Sequence, residues 1–248
     1  MKNKTLWKQV GAAAIAAAMV MSTVPATPVQ AAGGKTLAVS SQKQLNQALK
    51  TVKGKNAVIT VKAGKNVKIT IPKGTYKVTI RVVGKKAAVV NNGTVKEIVV
   101  NSKGTVAIKN NGTIKKVTVQ NAKSVSFSGN HKKAVPVVVN AEDVSMILAA
   151  PAKITAKKDV NIVLKKGAEK SSITCTKNAQ AQVDNQTKKA ISVKIADGTT
   201  LKVESGESCT ITPKGKKENT SGEDKTDEKD KTDGKDQKTD DTSDGNAS

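Results

Sequence analysis

The sequence predicts an all-β fold: a single-stranded parallel β-solenoid of about nine coils, with an N-terminal capping helix and a disordered C-terminal tail. Three observations carry that expectation. Asn91-Asn92-Gly93-Thr94-Val95-Lys96 recurs 19 residues on as Asn110-Asn111-Gly112-Thr113-Ile114-Lys115, and Pro72-Lys73-Gly74-Thr75-Tyr76-Lys77 stands one step earlier. Each cycle holds two short runs rich in Val, Ile and Thr, whose period-two alternation suits strands with one buried face. Gly, Asn and Lys separate the runs, as turns require.

The ends do not share this pattern. Lys2, Lys4 and Lys8 precede an Ala-rich apolar stretch from Val10 to Val24, then Pro25 to Gln30 and the small residues Ala31 and Ala32. Residues 1–31 therefore read as a secretory signal peptide, since the apolar run falls short of the ~20 residues that span a bilayer. From Pro213 to Ser248 there is no aromatic, Leu, Ile, Val or Met, and Lys-Thr-Asp recurs. Such a segment buries too little to offset the entropy of ordering it, so 213–248 reads as a disordered charged tail.

Within 57–212 two ladders can be laid out. The first stacks Ile59/Val61, Val78/Ile80, Ile98/Val100, Val117/Val119, Val137/Val139, Ile154, Ile173/Cys175, Ile191/Val193 and Cys209/Ile211. The second stacks Ile69, Ala88/Val90, Val106/Ile108, Val125/Phe127, Met146/Leu148, Ile162/Leu164, Ala181/Val183 and Leu201/Val203. The glycines after Asn92 and Asn111 suit a turn at positive φ. Asn92 with Asn111, and Asn101 with Gln120 and Asn140, are placed to form amide ladders. In this register Cys175 and Cys209 lie about two rungs, roughly 10 Å, apart, beyond the ~7 Å a disulfide tolerates, so both read as free buried thiols.

Residues 32–56 read as the cover of the open end. Ser41 to Gln44 has the form of a capping box, and Leu45, Ala48, Leu49 and Val52 fall on one helical face. A short helix of the form Ser-x-x-x-Leu-x-x-Ala-Leu, leading through Gly-Lys into Ala57-Val58-Ile59-Thr60-Val61, resembles the N-terminal entry of right-handed parallel β-helix, pectate-lyase-like surface proteins. The resemblance covers 36–212 and implies a right-handed coil. It implies no particular activity, because that fold hosts lyases, hydrolases, adhesins and inert proteins alike.

Residues 32–212 carry 32 basic and 9 acidic groups, a net charge of +23, and Arg81 is the only arginine. Lysine is a hydrated point charge without the planar fork of arginine, which favours diffuse attraction to a polyanion. No catalytic, metal-binding or cofactor-binding constellation emerges. Asp143 and Asp159 each precede a second-ladder strand in successive coils and could hold calcium or act as an acid/base pair, but Ser124 and Asn178 occupy equivalent turn positions. His131 lies in a Gly-Asn-His-Lys-Lys loop with no acidic neighbour, and Arg81 points outward beside Lys77. Tyr76 and Phe127 are the aromatics of the body, too few for a sugar- or base-stacking platform.

The functional expectation is an exported, non-catalytic scaffold. It would bind or decorate anionic cell-wall or extracellular polysaccharide electrostatically, as a monomer with no small-molecule cofactor and no transmembrane anchor. The alternative is a polysaccharide lyase or glycoside hydrolase of the β-helix fold with an unrecognised site.

Overall fold

The computed structural model describes residues 35–64, 66–215 and 217–219. The signal-peptide reading and most of the tail reading lie outside these residues. The elements in chain order are β1 (Lys35–Val39), α1 (Gln42–Thr51), β2 (Ala57–Ala63), β3 (Val67–Ile71), β4 (Thr75–Asn91), β5 (Thr94–Asn110), β6 (Thr113–Ile114), β7 (Val117–Asn121), β8 (Ser124–Ser128) and β9 (Val135–Val139). There follow β10 (Val144–Leu148), β11 (Ala152–Ala156), β12 (Val160–Leu164), β13 (Ser172–Cys175), β14 (Ala181–Asn185), β15 (Ile191–Lys194), β16 (Thr200–Val203), β17 (Ser208–Ile211) and β18 (Lys217–Asn219).

The described residues wind as a parallel β-solenoid of about eight turns, 58% of them in strands. One face stacks β1, β2, the middle of β4 and of β5, β7, β9, β11, β13 and β15 in parallel. A second stacks β3, the ends of β4 and β5, β8, β10, β12 and β14. A short third face joins the starts of β4 and β5 to β6. Inside runs one continuous core, with rungs such as Ile59, Ile80, Ile98, Val117, Val137, Ile154 and Ile173, all buried. Full burial of each such side chain contributes about 1.5–3 kcal/mol, obtained only when the neighbouring coil is in place.

The expected helix is present. Ser41 is its N-cap, its side chain accepting from the Gln44 amide, and Leu45, Ala48, Leu49 and Val52 are buried. The return bond of the capping box is shifted by one residue: Gln44 Oε1 accepts from Ser40 N at 2.7 Å. Gln42 fastens the helix to the second face, donating to Thr70 O at 2.8 Å and accepting from Thr70 N at 2.6 Å. Its amide thus meets both backbone groups of one residue at the first edge of that face, a site otherwise open to pairing.

Five details differ from the sequence expectation. The registers slip by two residues where the pattern allows it: Ile59 pairs with Ile80, not Val78, and Ile173 with Val193, not Ile191. A two-residue slip keeps every side chain on its own face, so alternation cannot exclude it. Ala87 and Val89 point inward, whereas Ala88 and Val90 are half-exposed. The register shift between Gly84 and Lys86 sets that parity.

The ninth coil is not parallel. β16 turns back against β15, with Leu201 opposite Val193, and β17 runs antiparallel to β14, with Cys209 opposite Val183. Asp197-Gly198 makes the reversal: Gly198 has φ +93 and donates to Ile195 O at 3.1 Å, while Asp197 Oδ1 accepts from Thr199 N at 2.7 Å. The ordered body also continues past residue 212, because β18 pairs with β17.

Finally, Gly93 and Gly112 do not have positive φ. They are required by close stacking, since a Cβ on Gly112 would lie 2.2 Å from Gly93 O and one on Gly93 2.5 Å from Pro72 O. The ladder of Asn92 and Asn111 is present at 3.0 Å.

Candidate functional site

Charge is distributed unevenly along the stack. Residues 32–141 carry 21 basic groups and one acidic group, Glu97, whereas residues 142–212 carry 11 basic and 8 acidic groups. Glu97 is itself engaged: it accepts from Thr118 Oγ1 at 2.6 Å and lies 3.6 Å from Lys116 Nζ. The early coils therefore present a nearly uncompensated positive surface. Some of the later carboxylates have local partners. Glu142 bonds Lys158 at 2.7 Å, and that hydrogen bond and charge hold its carboxyl below the usual range while raising the Lys158 ammonium. The amide of Gly167 does the same for Glu169.

The short third face organises part of this charge. Thr75, Thr94 and Thr113 stand in register, and so do Tyr76, Val95 and Ile114. Thr94 N donates to Gly74 O at 2.7 Å and Thr113 N to Gly93 O at 2.9 Å, which locks the turns below. Val95 and Ile114 point inward, so the threonines and the exposed Lys77, Lys96 and Lys115 two residues on share the outer side. The result is a threonine row with one member per coil at a spacing of ~4.8 Å, with Lys77, Lys96 and Lys115 beyond it and Lys77 at the register shift between Tyr76 and Thr79. Two depressions flank it. One, of about 470 Å³, lies against α1 and is lined by Lys50, Lys53, Lys73, Thr75 and Tyr76. The other, of about 310 Å³, is lined by Thr113, His131, Lys132 and Lys133.

Asp143 and Asp159 are brought together. Asp143 N donates to Asp159 O at 3.0 Å, and both residues line an open depression with Asn161, Gln180 and Gln182. Asp159 Oδ1 accepts from Gln180 N at 2.9 Å, a turn-closing bond to the next coil. Among the described residues no group of three or more His, Cys, Asp and Glu side chains is placed to hold a metal ion.

His131 is not a solvated loop residue. Its Nδ1 lies 3.2 Å from Asn110 O and its Nε2 3.0 Å from Pro151 O, and its ring meets Phe127 edge-on at 5.2 Å. It ties three coils together, with both nitrogens facing backbone carbonyls. Arg81 is half-buried and stands opposite Val99, and its buried Nε has no hydrogen-bond partner among the described residues. Phe127 is buried in the core, which leaves Tyr76 as the accessible aromatic among the described residues.

The charge asymmetry was countable in the sequence, but the third face was not legible, because β6 is only two residues long. No helix among the described residues is long and apolar enough to cross a membrane. No family model matches the chain, and no curated protein or solved structure is significantly similar to it.

Proposed function

We propose that the protein is an exported, non-catalytic β-solenoid scaffold that binds anionic cell-surface polymers through its early coils. The export reading rests on the lysines and apolar run of the first 31 residues. The single observation that carries the binding reading is the 21-to-1 excess of basic over acidic groups in residues 32–141. Lys77, Lys96 and Lys115, exposed two residues beyond the registered threonines, place part of that charge on successive coils of one face. Point charges one coil apart match a polymer with repeated anionic groups, without requiring a fitted pocket for each. The early coils should retain purified anionic wall polymer at low salt and release it between roughly 50 and 200 mM salt, where counterion competition becomes decisive. Retention that is flat across this range would overturn the reading.

A β-helix polysaccharide lyase or glycoside hydrolase is the competing reading, favoured by the meeting of Asp143 and Asp159 at one polar depression. It requires release of new sugar ends from an acidic glycan, abolished by Asp143→Asn and Asp159→Asn. Release that persists in both variants rules this pair out.

A further inference from the structure

Resting on that reading of the early coils, we propose that the groove between α1 and the first turn of the third face seats a phosphate-bearing end of the bound polymer. The threonine row begins here with Thr75 and continues away from α1 through Thr94 and Thr113. On the opposite side the row is closed. The α1 wall is fixed, because Leu45 and Leu49 are buried beneath it and Gln42 is bonded twice to Thr70. A polymer lying along the lysines can therefore run on in one direction only, and its end falls against α1.

The chemistry of the groove suits such an end. Lys50, Lys53 and Lys73 are all exposed, line the same depression, and have no carboxylate partner among the described residues. A terminal phosphomonoester carries close to two negative charges at neutral pH, against one on an internal diester. Three unpaired ammonium groups thus favour an end over a mid-chain unit. Ammonium groups approach a tetrahedral anion from separate directions and need no planar fork, so the absence of arginine is no obstacle. The floor is apolar where the rim is charged. Tyr76 is held over the turn by its hydroxyl, which donates to Lys73 O at 3.3 Å. Its side chain fills the space that a Cβ on Gly74 or Gly93 would need, the hydroxyl 2.8 Å from the first and the ring 3.1 Å from the second. The C–H face of a polyol or sugar next to the phosphate can lie on this ring.

The test uses the full chain and a short oligo(glycerol phosphate), either with its terminal phosphomonoester or with that group removed by phosphatase. Calorimetric titration at low salt should give binding about tenfold tighter to the phosphorylated end. The exposed-lysine variant Lys50→Gln/Lys53→Gln/Lys73→Gln should lose that preference while still binding the dephosphorylated oligomer. Lys157→Gln/Lys177→Gln/Lys188→Gln should keep the preference. If both oligomers bind the native chain equally, or the groove variant keeps the preference, the groove assignment is overturned and the surface reading stands. If neither oligomer binds the native chain, the surface reading fails and the groove assignment fails with it.

Discussion

Asn91 donates from its buried Nδ2 to Asn110 Oδ1, one coil on, at 2.8 Å. The same Nδ2 reaches Gly93 O at 2.9 Å and Thr113 O at 3.3 Å, and Asn91 Oδ1 accepts from Gly93 N at 3.3 Å. Asn110, equally buried, has no partner for its own Nδ2. The pair is therefore unequal. Removing Asn91 strands several buried groups; removing Asn110 leaves Asn91 with other acceptors and also removes an orphan donor. Asn91→Ala should cost about 3 kcal/mol and Asn110→Ala about 1 kcal/mol. Urea denaturation of both variants checks this, and equal losses would contradict it.

Gly112 tests the close stacking of the turns. Its missing Cβ would sit 2.2 Å from the carbonyl oxygen of Gly93, backbone that cannot rotate away. Gly112→Ala should cost about 1–3 kcal/mol through forced separation of two coils. Gly64 also lacks a positive φ but meets nothing within 4 Å, so Gly64→Ala should be neutral or slightly stabilising. A similar melting temperature for the two variants would show that the turns are not in contact.

The sequence was informative where repeat and chemistry coincide. Thr75, Thr94 and Thr113 align at the 19-residue step that identical turns announce. It was misleading where apolar residues run on without alternation: Ala87-Ala88-Val89-Val90 offers both parities, and only the corner before it decides. Coil length also varies, with 16 residues between Val144 and Val160 but 21 between Ile59 and Ile80, so a fixed step drifts. At the C-terminal end Asp197-Gly198 between β-rich runs is a hairpin signal that outweighs extrapolation of the repeat. The candidate surface was half legible, since charge can be counted but the third face exists only once the coils stack.

The cysteines keep their expected state for a different reason. Both are free and buried. They are separated by face rather than by two rungs, since Cys175 lies on β13 of the first face and Cys209 on β17 against β14 of the second. Burial pushes the Cys175 thiol up to about 11 and raises that of Cys209, assisted by Glu207. Native protein near neutral pH should therefore resist alkylation, and denatured protein should take two labels. A raised folded pKa means that the native thiol holds its proton after the unfolded one has lost it. Its contribution is present below about pH 9 and is lost as pH rises towards 11. Rapid labelling of the native chain at neutral pH would contradict this burial.

The ordered end can be located by truncation. Lys217 of β18 bonds Glu207 Oε1 at 2.5 Å and Lys202 O at 2.8 Å while β18 covers the edge of β17. Deleting 213–248 should lower the melting temperature by about 3 °C, whereas deleting 222–248, which removes no apolar core residue, should leave it unchanged. Burial opposes ionisation of Glu207, but Lys217 and the amide of Glu204 outweigh it and hold the carboxyl below its usual range. Stability from a depressed carboxyl is present above the unfolded pKa and lost as pH falls through the folded one. The gap between the two truncations should therefore narrow in acid. Identical melting at neutral pH would place β18 outside the cooperative body.

The lysine row makes the most specific claim on function. If Lys77, Lys96 and Lys115 each neutralise one anionic group of a bound polymer, each displaces about one counterion. Replacing all three by Gln should reduce the slope of log affinity against log salt by about 3 and weaken binding at low salt. Lys157, Lys177 and Lys188 are equally exposed but belong to coils where 8 carboxylates offset 11 basic groups. Their replacement by Gln removes the same net charge from the molecule. A diffuse attraction to the whole body predicts the same loss for both variants, whereas a third-face site predicts a loss confined to the first. Affinity measured across a salt series with one purified anionic polymer separates the two, and equal slopes would reassign the binding from a face to the net charge.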